Sequence, residues 1–140
     1  MAGAKELSEQ ATTLFNKGDI EGQGALYADD AVLVTPDGRF EGRQSIQEVF
    51  QGFVTSFPDA QVTTGRGGED GELFFGEFTF AGTNTGPLSM PDDTELPATG
   101  KPVEVHATEI VHARGGRIVQ ADMLWDNMAF MTQLGLVPPP

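Results

Sequence analysis

The hydrophobic period of this chain changes for good at Pro58. Before it, Ile46, Val49, Phe50 and Phe53 stand at i, i+3, i+4 and i+7. That stripe predicts a helix over residues 44–57, which Pro58 ends. After it, apolar residues alternate over residues 72–84, 103–113 and 117–126, the period of half-buried strands. Helices first and antiparallel strands afterwards predict an α+β fold, whose sheet must cover its apolar face with the helices that precede it.

The rest of the chain fits that order. Residues 4–17 predict a first helix, with Leu7, Ala11, Leu14 and Phe15 on one face and Gly18 closing it. Asp19 can cap a second helix reaching about Tyr27, weakened by Gly22 and Gly24. Residues 31–34 predict a brief strand, TPDG (35–38) a turn, and Phe40 the start of a short return. Residues 60–66 alternate as a strand and 67–71 read as a turn. The segment 85–101, with Pro87, Pro91 and Pro97, is long for a loop in a compact domain and suggests a lid or flap. There are no repeats and no linker, so residues 1–140 read as one domain.

Gly115-Gly116 between two alternating runs predicts a two-residue hairpin turn. In regular register Arg114 then faces Arg117, Glu109 faces Asp122 and His106 faces Trp125. Gln120, Asp122, Leu124 and Asp126 share one face with Val105, Ala107, Glu109 and Val111. Val119, Ala121, Met123 and Trp125 share the other with His106, Thr108, Ile110 and His112. A bulge would invert one strand against the other. Both faces are partly apolar, so one is expected to line a cavity and the other to meet a second subunit.

Charge and composition exclude several functions. A net charge of −13 argues against nucleic acid and anionic lipid, whose phosphates need a basic surface. No apolar run approaches the roughly 20 residues of a membrane span. MAGAKELSEQ lacks the basic and apolar regions of a signal peptide, and cysteine is absent, so a cytoplasmic location is expected. Two distant histidines with no HExxH-type spacing give no metal-site pattern.

Asp126 stands where the last strand gives way to a short helix carrying Met128, Met131 and Leu134 at helical spacing. Its carboxylate can cap that helix, or it can turn into the cavity and act as a base. Both readings stay open. Glu109 and Asp122, if they face each other, would share a proton. Asn84 can orient a carbonyl or pin the loop that follows it. Tyr27, Phe78, Phe80, His106, Leu124 and Trp125 are the remaining candidates for a ligand-lining surface.

Five blocks in order carry a family resemblance: YADDAVLVTPDGRFEGRQSI (27–46), GTNTGPL (82–88), PATGKPVEV (97–105), GGRIV (115–119) and WDNMAFMTQLGL (125–136). Together they resemble the SnoaL-like polyketide cyclase family over about residues 5–137. The resemblance implies a cone-shaped α+β barrel of the nuclear transport factor type. In it, a highly curved antiparallel sheet wraps around three N-terminal helices, with a short C-terminal helix, often dimeric through the sheet's outer face. It implies closure of polyketide rings by intramolecular aldol condensation, with neither metal nor cofactor. The catalytic acid/base would be an aspartate before the terminal helix, the position of Asp126. The family commonly has His where this chain has Asn84, and many members have an aromatic residue where it has Asp122.

Three functional expectations follow. The first is a cyclase or isomerase acting on a hydrophobic, carbonyl-rich small molecule, with Asp126 as base. The second is a non-catalytic binding protein with the same pocket, or a hydrolase, epoxide hydrolase included, using Glu109 and Asp122. The third is a structural dimer whose pocket is filled by phenylalanines.

Overall fold

The apolar stripe Ala4, Leu7, Ala11 and Phe15, with Ser8 among them, folds as one buried face of α1 (Ala4–Asn16). The protein is described by a computed structural model covering residues 1–90 and 92–138; Pro91, within the predicted loop, lies outside the described residues. Asp19 accepts from the Gly22 N–H at 2.8 Å and caps α2 (Ile20–Gly24), a single turn that ends before Tyr27. The chain then runs through β1 (Tyr27–Thr35) and β2 (Gly38–Glu41) into α3 (Arg43–Ser56). The stripe read from residues 44–57 is the buried side of α3, with Ile46 and Phe50 in the core.

β3 (Gln61–Asp70) and β4 (Leu73–Thr83) form the next hairpin. The turn expected over residues 67–71 is shorter: pairing continues to Asp70↔Leu73, with a register shift between Thr64 and Gly67. The proline-rich segment holds a small hairpin, β5 (Leu88–Ser89) with β6 (Glu95–Leu96). β7 (Pro102–Arg114), β8 (Arg117–Trp125) and α4 (Asn127–Gln133) complete the chain.

Six strands form one curved sheet in the order β2-β1-β8-β7-β4-β3. It is antiparallel except where β1 lies parallel to β8, with Leu33 beside Ala121. That pairing joins the first strand to the last, so no hairpin turn dictates its direction. α1 and α3 pack across the concave side, and the core between them holds Leu7, Phe15, Leu33, Ile46, Phe80, Val111 and Ile118.

The β7–β8 hairpin corrects the expected register. Gly115 and Gly116 have φ of 62° and 76°, the left-handed pair of a two-residue turn. Arg114↔Arg117 and Ala113↔Ile118 pair as expected. β8 then gains one residue against His112/Ala113, and His112 pairs with Gln120. Every later partner shifts by one: Glu109 faces Met123, Ala107 faces Trp125, and Ile110 faces Asp122. A single inserted residue exchanges the two faces of a strand. β8 therefore turns Ala121, Met123 and Trp125 inward and Gln120, Asp122 and Leu124 outward, the reverse of the expectation.

Candidate functional site

Five polar side chains from four elements reach the cavity between sheet and helices. Ser8 and Thr12 come from α1, Gln23 from α2, Tyr27 from β1 and Glu109 from β7. The remaining wall is apolar, built largely from Phe15, Phe50, Phe53, Phe78, Phe80 and Trp125. The space between them is about 80 Å³.

Among the described residues, Glu109 is the one carboxylate lining this cavity. Burial raises its pKa above the ordinary glutamate value, and a hydrogen bond donated by the Ser8 hydroxyl offsets only part of that rise. Tyr27 is buried among core residues. Burial, and then the nearby Glu109 charge, push its hydroxyl above the usual tyrosine value, so it stays a neutral donor at physiological pH. Ser8 and Glu109 also border an open groove of about 700 Å³ between α1 and the β3–β4 hairpin, which they share with Thr12, Val62 and Phe78. The carboxyl group thus stands between an apolar interior and a route to solvent, along which its proton can re-equilibrate.

A second space adjoins the cavity. Phe53, Trp125 and Phe130 line both the cavity and a crevice of about 330 Å³ among α3, α4 and the β5–β6 hairpin. Phe53 and Trp125 meet edge to face, with ring centroids 6.0 Å apart. They form a thin aromatic partition. Joined, the two spaces reach the roughly 300–1,000 Å³ typical of small-molecule sites.

The family profile of the SnoaL-like domain matches residues 9–121, more than half of the chain. The chain belongs to the SnoaL-like family. IdmH from Streptomyces antibioticus, a proposed polyketide cyclase, is similar at 26% identity and a TM-score of 0.79, over 96% of this chain and 99% of that one. AclR from Streptomyces galilaeus, a proposed hydroxylase, shares the fold at 19% identity and a TM-score of 0.81, over 97% and 87% of the two chains. A proposed SnoaL-like polyketide cyclase from Jannaschia sp. CCS1 does so at 16% and 0.79, over 99% and 97%. A search of curated proteins gives no match.

In this SnoaL-like chain, the aspartate before the terminal helix is turned away from the cavity. Asp126 is exposed and accepts from the Ala129 N–H at 3.0 Å as the N-cap of α4. It borders an open groove together with His106 and Leu124, and with Phe78, Ala107 and Trp125 of the cavity wall. Asp122 also faces outward, where it accepts from Gln120 at 3.1 Å. It cannot share a proton with Glu109 through the sheet, which removes the paired-acid site expected for a hydrolase.

The expected binding residues divide the same way. Tyr27, Phe78, Phe80 and Trp125 line the cavity. His106 is exposed on the outer face, hydrogen-bonded through Nδ1 to Thr79 at 2.9 Å. Leu124 is 56% exposed there. Asn84 is fully buried but spends its side chain on the loop: its amide donates to the Ser56 and Gly86 carbonyls and accepts from the Thr99 N–H and hydroxyl. It pins both ends of the proline-rich segment and leaves nothing for a ligand. Among the described residues, no three of His, Cys, Asp or Glu converge to hold a metal ion, and no helix is long and apolar enough to cross a membrane.

Sequence reasoning missed Ser8 and Gln23. The signal was present in both: Ser8 interrupts the apolar stripe of α1, and Gln23 lies three residues beyond the buried Ile20. A polar side chain on a buried helical face needs a partner.

Proposed function

We propose that this chain is a cyclase or isomerase acting on a hydrophobic, carbonyl-rich, polyketide-like molecule, with Glu109 as its general base. The observation that carries this reading is the position of Glu109: a carboxyl group of raised pKa on the wall of an apolar cavity, with Ser8 and Tyr27 beside it. The similarity to IdmH, a proposed polyketide cyclase, supports the substrate class.

The chemistry needs little machinery. A carbon between two carbonyls is already acidic. The Glu109 carboxylate takes its proton, and the C–H electrons move into the adjacent carbonyl to give an enolate. A carboxylate out of water is a stronger base than a hydrated one, which brings it closer to this task. The Tyr27 hydroxyl donates to the enolate oxygen where charge collects. In a cyclase, the enolate carbon then bonds to a second carbonyl carbon of the same molecule. The new alkoxide takes the proton back from Glu109, now the acid. In an isomerase, the proton returns to a different carbon. The cavity holds the reacting ends together and keeps water from them. Parting of Phe53 and Trp125 would join the cavity to the adjoining crevice and make room for a polycyclic molecule.

The outer sheet face carries Phe75, Ile110 and Leu124 at 43%, 41% and 56% exposure. That surface is proposed to pair two copies of the chain, as exposed apolar clusters on a sheet commonly do.

The test uses benzoylacetone, a compact aromatic 1,3-diketone, and follows exchange of its C2 proton into D2O by NMR at constant buffer. The native protein is expected to accelerate exchange. Glu109→Gln is expected to lower that acceleration by about 100-fold or more, whereas Asp126→Asn leaves it unchanged. Full acceleration in Glu109→Gln, or its loss in Asp126→Asn, would overturn the assignment.

A further inference from the structure

Gln23 is 4% exposed and lines the cavity from α2, four residues before Tyr27. Its backbone is satisfied: the N–H donates to the Asp19 carbonyl at 3.0 Å, and the carbonyl accepts from the Leu26 N–H at 3.1 Å. Its side chain is not. Oε1 is the single buried side-chain polar atom without a partner among the described residues. Native folds rarely bury an amide oxygen unpaired, and each exception calls for an explanation such as a functional role or a bound group that supplies the missing bond. The wall around it is largely aromatic, with the hydroxyls of Thr12 and Tyr27 on the same cavity.

We infer that Gln23 is a specificity-determining residue whose amide oxygen accepts a hydrogen bond from a hydroxyl or enol O–H carried on a planar apolar ligand. The phenylalanine-rich wall receives the ring and Gln23 reads the hydroxyl. The two functions are separable, because a polar site left unpaired discriminates strongly against analogues lacking the matching group. The assignment rests on the cavity being the ligand site proposed above, but not on Glu109 acting as a base.

The test is equilibrium dialysis of the full chain against 2-naphthol and 2-methylnaphthalene, which match in shape and differ by one hydroxyl. The native protein is expected to prefer 2-naphthol by about tenfold or more. Gln23→Leu, with Gln23→Met as a second replacement, is expected to abolish or reverse that preference, while Glu109→Gln retains it. The thermal midpoint of the unliganded Gln23→Leu protein is expected to equal or exceed the native one, since an unpaired polar group is removed. Equal binding of both probes by the native protein, or a preference that survives both replacements, overturns the role of Gln23 and leaves the Glu109 exchange test standing. A fall of several degrees in the unliganded midpoint also overturns it, by showing that the amide serves the fold. If neither probe binds, the cavity is not the ligand site and the inference fails with it.

Discussion

Replacing Asn84 with alanine removes four side-chain hydrogen bonds from one buried point, at 2.7 to 3.0 Å. Their partners do not suffer equally. The Ser56 carbonyl keeps the Gly86 N–H at 3.2 Å, and the Thr99 hydroxyl can rotate toward water. The Gly86 carbonyl and the Thr99 N–H lose a partner in a partly buried setting. Each orphaned group costs about 1–3 kcal/mol, so the expected loss is about 2–6 kcal/mol, a large share of the roughly 5–15 kcal/mol that holds a domain folded. Close packing amplifies the effect, because Gly86 approaches α3 so tightly that a Cβ there would lie 1.9 Å from the Thr55 carbonyl oxygen. The loop cannot slide inward to find new partners. Urea unfolding read by circular dichroism measures the loss as a fall in midpoint at constant slope. A loss below about 0.5 kcal/mol would refute the view that Asn84 is the staple of this segment.

Three further outcomes follow. Tyr27→Phe removes a hydroxyl that hydrogen-bonds to nothing among the described residues; it is expected to leave the thermal midpoint unchanged while slowing diketone exchange by roughly 10²-fold, the effect of losing one oxyanion donor. The raised pKa of Glu109 makes the folded state hold its proton after the unfolded chain has released it, so native stability falls as pH rises from 4.5 through the folded pKa. Glu109→Gln, which cannot ionise, is therefore expected to match the native protein below that window and exceed it above, as measured by unfolding midpoints across pH. The proposed dimer predicts that the native chain sediments as a dimer at equilibrium and that Ile110→Asp, on the exposed outer face, sediments as a monomer.

Element type was largely legible in the chain, because helical and strand periods differ and the caps at Asp19 and Asp126 and the turn at Gly115-Gly116 are local chemistry. The α+β order follows from those periods alone. The site was less legible, and one residue explains most of the difference. The extra residue of β8 near Val119 carries no glycine or proline to announce it, yet it turns Met123 and Trp125 inward and Asp122 and Leu124 out. β7 has no such shift, and Glu109 lies on the cavity side. Asp126 could be read equally well as cap or base, and only the direction of its side chain separates the two. The parallel pairing of β1 with β8 was beyond local reading, since it joins segments about ninety residues apart with no turn between them.

The central claim is that Glu109 holds its carboxyl group largely shielded from water, at the edge of the groove beside α1, and exchanges protons from there. Carbon-detected NMR titration of the Glu109 side-chain carboxyl, assigned through Glu109→Gln, measures this without any substrate. A midpoint clearly above the ordinary glutamate value of 4.5 is the predicted result. A midpoint at or below that value would mean that the group is hydrated, and the proposed base would be lost.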